Sequence, residues 1–313
     1  MILSIIITNY VLLKAVCVAD SNSDPLKDYS LYKAFPKNEN DLKLLISLER
    51  KYGVDLWSEP NRLLRPVLFT VSPESRQSVV KHLTEKRIDI TLITNDLKKL
   101  VDNEREEISK ISESFAADEV ANFEAYHNYE KIAFILEEWK KKYPQNVKTR
   151  VIGVTWEKRS IYALKITGGK EGNKPIIFFE CGIHAREWIS PTTCLYFANT
   201  LLTNKSNQDT LLNKYDFHFV PVLNADGYAY TWTKKRDWRR NRFPGTIGHG
   251  ACIGVDLNRN FDPEHCKEGS TKNLCLPSYC GTKAFSENET IAIRDYVKEL
   301  TKNQTMKIYF AMH

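Results

Sequence analysis

Two histidines and a glutamate carry the first chemical signal in this sequence. His184 and Glu187 stand in an H-x-x-E spacing inside KPIIFFECGIHAREWISP (174–191), and His313 follows KIYFAM (307–312). Each cluster comes straight after a short β-branched and aromatic run that reads as a buried strand. Sites in α/β sheets gather at the carboxyl ends of strands. H-x-x-E alone is more simply explained as a capped loop with a surface ion pair. The distant histidine changes that reading. Two histidines and a carboxylate on neighbouring strand ends form a three-ligand zinc set, which leaves the fourth position open for water, as in catalytic sites.

These stretches resemble a known family. GIHAREWISP (182–191), GVDLNRNFD (254–262) and the strand-borne His313 are similar to the zinc carboxypeptidases of the pancreatic A/B type, and the resemblance runs from about Asp28 to the last residue. It implies one Zn2+ on His184, Glu187 and His313, with Asp256 orienting His184. Arg239 is implied to polarise the scissile carbonyl and to stabilise the developing oxyanion. Asn258 and Arg259 are implied to grip the free C-terminal carboxylate of a peptide or protein substrate, a task suited to the planar guanidinium fork. Arg186 is read either as an auxiliary substrate arginine or as a surface ion pair. The general-base glutamate, a mobile tyrosine and the base of the specificity pocket are implied to lie beyond His313. The expectation is therefore an incomplete chain that is inactive and poorly folded as written, from a family of C-terminal exopeptidases. The alternative is a non-catalytic secreted protein that holds peptide C-termini. The preferred C-terminal residue stays open.

The elements that must position these residues fall into two groups. The first reads strand (31–35), helix (40–52), strand (66–71), helix (73–86) and strand (89–94), a small α+β open sandwich. With YGVDLW (52–57) it resembles the activation propeptide of the same family, expected over 20–110, which covers the cleft and keeps the enzyme latent. A charged helix over 97–110 and a linker over 111–122 follow, with Arg105 and Lys110 as cleavage points for a trypsin-like activating protease. The second group, 123–313, is α/β. An amphipathic helix starts it near Tyr129. Strands 150–156 and 161–166 form a hairpin whose turn has Lys158 where related enzymes usually have glycine. Strand 176–181, helix 191–202, strand 216–223, a turn at 224–230 and strand 307–312 complete it. The resemblance implies a mixed-sheet α/β/α catalytic domain, incomplete here.

Compartment and charge complete the reading. Residues 1–19 form an apolar stretch ending in small residues, a secretory signal peptide, so the protein is expected to be extracellular. Of seven cysteines, Cys17 leaves with that segment. The other six suit disulfides in a secreted domain but allow too many pairings for spacing to choose. The resemblance implies Cys181–Cys194, Cys252–Cys275 and Cys266–Cys280. Net charge is a mild +6. The basic cluster KKRDWRRNR (234–242) comes with no recognised nucleic-acid module. A monomer without nucleic-acid or membrane partners is expected.

Overall fold

The computed structural model describes residues 26–114, 120–168, 173–245, 252–263, 265–267 and 269–313. The expected signal peptide and the middle of the expected linker lie outside them.

The first unit is an antiparallel four-stranded sheet in the order β2-β3-β1-β4. Its strands are β1 (Ser30–Ala34), β2 (Asp55–Leu56), β3 (Val67–Val71) and β4 (Ile90–Thr94). Helices α1 (Glu39–Tyr52) and α2 (Pro73–Glu85) cover one face. Leu45, Leu48, Val79 and Leu83 pack there on Phe69 and Val71. Local signals set the helix ends. The Asn38 side chain accepts from the N–H groups of Asn40 and Asp41, and Gly53 closes α1 in the left-handed region. Helix α3 (Leu97–Ser114) leaves this sheet and runs past the expected boundary at 110.

The second unit is a mixed five-stranded sheet, β5-β6-β8-β7-β9. It comprises β5 (Val147–Val154), β6 (Ser160–Ile166), β7 (Ile176–Cys181), β8 (Asp216–Val220) and β9 (Met306–Met312). β7 runs parallel to both β8 and β9, while β5, β6 and β8 are antiparallel neighbours. The buried strands alternate between two cores. Phe179, Phe217 and Phe219 face α4 (Tyr129–Lys142) and α5 (Ile189–Thr203), and Ile176, Phe178 and Val220 face α8 (Asn288–Thr301). Each fully buried large apolar side chain contributes roughly 1.5–3 kcal/mol. His218 is buried in β8 with Nδ1 against the Tyr296 hydroxyl, and burial pushes it down to about 4.

Several details differ from the sequence reading. Residues 224–230, expected as a turn, start helix α7 (Ala225–Thr233), because Asn224 caps it by accepting from the Gly227 N–H. Residues after α5 form a single turn, α6 (Lys205–Asn207), and a π-helical stretch, Gln208–Leu212. The helix α8 had no counterpart in the sequence reading. In the β5–β6 turn, Lys158 takes φ 68°, and paired Thr155 and Arg159 hold that costly conformation closed. Among the described residues β9 stands at one edge of the sheet, with Ile308, Tyr309 and Phe310 exposed.

The disulfides Cys252–Cys275 and Cys266–Cys280 are formed as expected. The expected Cys181–Cys194 bond is not formed. Both residues are buried free thiols. Burial pushes the Cys181 thiol well up, and the adjoining Cys194 adds to the effect. The reduced pair packs as two small apolar groups between β7 and α5.

Candidate metal centre and substrate cleft

The centre is built at the ends of two parallel strands. β7 and β9 are in register, with Cys181 opposite Met312, so whatever follows each strand emerges side by side. Gly182 turns the chain at φ 65°, where an added Cβ would meet Pro191, Val222 and Pro221 at 3.2–3.3 Å. Ser190 ties the two strand ends, accepting from the Gly182 N–H (2.9 Å) and donating to Met312 O (2.7 Å).

His184, Glu187 and His313 meet there. His184 Nδ1 lies 3.0 Å from Glu187 Oε1 and 3.1 Å from His313 Nδ1, which is 3.0 Å from Glu187 Oε2. Donors bound at about 2.0–2.1 Å in a tetrahedron stand about 3.3 Å apart, so these spacings fit one zinc ion. The far side of His184 is fixed, because its Nε2 faces Asp256 Oδ1 at 3.1 Å and Nδ1 is left for the centre. Burial would raise the Glu187 carboxyl, but His184 and His313 outweigh it and hold the group far below the usual range. Asp256 behaves alike: burial works against its charge, and Arg239 and His184 overcome that cost.

Asp256 also organises the cleft wall. It receives Arg239 Nε at 3.0 Å and Nη2 at 2.9 Å. Its Oδ1 accepts from the Asn258 N–H at 3.0 Å, capping the one-turn helix Leu257–Arg259. The sequence-predicted residues Arg239, Asp256, Asn258 and Arg259 thus line one cavity with His313, of about 670 Å³. Arg186 sits apart from that lining.

The first unit reaches into this cleft through carboxylates that the sequence reading missed. Arg186 forms a fork with both Asp55 oxygens, donates to Leu56 O at 2.9 Å, and lies 5.1 Å from the Trp57 ring centre. It is 7% exposed, so its ion pair with Asp55 is largely buried rather than on the surface. Arg259 Nη2 donates to Glu59 Oε1 at 2.5 Å. Arg236 forks onto Glu104 of α3 and stacks 3.6 Å from Trp188. The basic loop is therefore engaged internally at Arg236, Arg239, Arg240 and Arg242. The only sequence hint of these acids was YGVDLW, which contains Asp55.

A mixed sheet with a His-Glu-His donor set at its strand ends, and an arginine-walled cleft beside it, defines a zinc-dependent hydrolase of the exopeptidase type. Comparison with known proteins gives the family. Residues 132–313 match the zinc carboxypeptidase family and residues 32–104 the carboxypeptidase activation peptide. Carboxypeptidase B of Homo sapiens is 33% identical over 308 residues, covering 96% of this chain and 70% of that protein. Carboxypeptidase B2 of Rattus norvegicus is 33% identical, at 96% and 71% coverage. Among solved structures, carboxypeptidase A from Helicoverpa armigera superposes with TM-score 0.84 at 27% identity, covering 92% of this chain and 70% of that one. Thrombin activatable fibrinolysis inhibitor gives 0.73 at 30% identity, covering 91% and 71%. The chain belongs to the zinc carboxypeptidase family and carries an activation peptide.

Proposed function

We propose that this chain is the zymogen form of a secreted, zinc-dependent exopeptidase that releases C-terminal residues from peptides and proteins. The observation that carries the reading is the shared cavity, which puts Arg259 and Asn258 beside the His184–Glu187–His313 triangle. A bound Zn2+ would supply a Lewis acid for the scissile carbonyl and a water of lowered pKa. The chain's own residues do the rest. Asn258 and Arg259 hold the free carboxylate of the last residue and so set the cut at one residue from the end. Arg239 stabilises negative charge developing on the carbonyl oxygen, and Asp256 holds both it and His184 in place.

The reading extends to organisation. Residues 1–19 act as signal peptide, 20–110 as propeptide, 111–122 as linker and 123–313 as catalytic domain, in a monomer with one zinc. Asp55 and Glu59 occupy the arginines that a substrate would use. A trypsin-like protease cuts at Arg105 or Lys110, both exposed on α3. N-terminal sequencing after trypsin treatment checks this; a cut at neither residue rejects both.

One observation favours a second reading, a protein that binds peptide C-termini without cleaving them. Three carboxylates beside the two histidines are engaged. Glu187 faces the two histidines, Asp256 holds His184 and Arg239, and the buried Glu180 accepts from the Tyr309 hydroxyl. As placed, these three hold other groups rather than a water, and a positioned base contributes about 10²–10⁴ in rate. Mass spectrometry of a free-acid peptide incubated with the trypsin-cut, zinc-loaded protein separates the two. Loss of single C-terminal residues supports the exopeptidase; retention of an intact peptide by the protein supports the binder.

A further inference from the structure

Behind the cleft wall lies a buried polar cluster with no part in the scheme above. Asn241, fully buried, joins the two segments that carry the substrate residues. Its N–H donates to Val255 O at 3.0 Å, and its Oδ1 accepts from the N–H groups of Val255 (2.8 Å) and Phe243 (3.2 Å). Arg239 lies two residues before it, and Asp256 directly follows Val255. Trp238, next to Arg239, donates its indole N–H to Asn241 O at 3.2 Å. The Nδ2 of the same amide turns the other way and donates to two carboxylates at the start of α8, Glu287 Oε2 (2.8 Å) and Glu289 Oε2 (3.1 Å). Glu287 also accepts from Trp156 Nε1 at 3.0 Å and from Ser286 Oγ at 2.6 Å. Glu289 has no exposure, and its Oε1 is an orphaned buried oxygen.

We infer that Glu287 and Glu289 are positioning residues for the substrate cleft. By orienting the Asn241 amide they set the spacing between Arg239 and the Asp256–Asn258–Arg259 segment. The consequence for peptide affinity rests on the function proposed above; the positioning itself does not. Two carboxylates around one amide in a dry site repel when both are charged, so one retains its proton. Burial pushes Glu289 up to about 8, with Glu287 and Asp226 adding to it. Asp226, from α7, is itself paired with Arg159, which also meets Glu157, the partner of Arg242. The Arg240 guanidinium turns away to Leu274 O and Leu276 O, so it does not neutralise the pair. Above pH about 8 the second charge forms and strains the Asn241 junction.

The test follows the indole N–H signals of Trp156 and Trp238 in the whole chain, labelled with 15N-tryptophan, from pH 6.5 to 9.5. Trp156→Phe and Trp238→Phe assign them. Both signals are expected to move with a common midpoint near 8, and both to stay flat in Glu289→Gln, which keeps the shape without the charge. Movement of Trp156 alone, of neither, or of both in Glu289→Gln overturns the inference. The readout needs neither turnover nor bound peptide, so it fails independently of the exopeptidase reading. Glu289→Ala is expected to weaken binding of a free-acid peptide about tenfold at unchanged zinc content. Where that variant does not fold, Glu289→Gln decides.

Discussion

At the scale of residues, Asp256 is the most consequential side chain. It orients His184, receives Arg239 and caps the turn that carries Asn258. Asp256→Asn is expected to weaken zinc binding about 10- to 100-fold, as losses of such orienting carboxylates do. Competition with a chromogenic chelator measures it; unchanged affinity would mean that His184 is held by other groups. Arg259 makes a narrower prediction. Charge-assisted hydrogen bonds contribute about 1.5–3 kcal/mol, so Arg259→Ala in the propeptide-free protein is expected to lose about 10- to 100-fold in affinity for free-acid peptides. Its affinity for C-terminally amidated peptides is expected to stay as it was. An equal loss for both peptides would take the carboxylate role from Arg259.

At the scale of elements, the site depends on backbone that only glycine tolerates. Gly254 sits at φ 83°, and a Cβ there would stand 2.5 Å from Asn241 O. Gly254→Ala is expected to push apart the two segments that Asn241 joins, lowering thermal stability and peptide affinity together. Calorimetry with a binding titration checks it, and a melting temperature equal to wild type would contradict it. The clustering of His184, Glu187 and His313 was legible in the sequence because each follows its strand within a few residues, so local pattern and parallel pairing together bring them to one place. The sandwich and most strands were legible for the same reason. Helix α8 was not anticipated: charged residues at 289, 294, 295, 298 and 299 interrupt its apolar face, although Ala292, Ile293 and Tyr296 bury it. The α7 cap lay in an Asn-Ala-Asp-Gly run that reads equally as turn. Asp55 and Glu59 could not be assigned from pattern, since their partners lie 131 and 200 residues away. The Cys181–Cys194 pairing came from resemblance, and the structure keeps both thiols reduced.

At the scale of the whole molecule, the two units meet through ion pairs: Asp55, Glu59 and Glu104 of the first face Arg186, Arg259 and Arg236 of the second, and the proposed latency rests on them. Glu59 pulls against burial, and Arg259 holds its carboxyl below 4.5. Its contribution is therefore present above pH 4.5 and lost as pH falls through its lowered value. Glu49 acts with the opposite sign. Burial raises it despite hydrogen bonds from Ser278, so its contribution is fullest below pH 4.5 and declines above. After the activating cut, Asp55→Asn with Glu59→Gln is expected to speed propeptide release at pH 7 and to flatten its acid dependence below pH 4.5. Surface plasmon resonance of the propeptide on the second unit measures both, and release rates equal to wild type would contradict the blocking role. The central claim is recognition of a free C-terminus beside zinc. Its most direct test is a calorimetric titration of the trypsin-cut, propeptide-free, zinc-loaded protein with one peptide in free-acid and amidated forms. The free acid is expected to bind at least about tenfold tighter, as one charge-assisted contact allows, and Arg259→Ala to abolish the preference. Equal binding of the two peptides contradicts it.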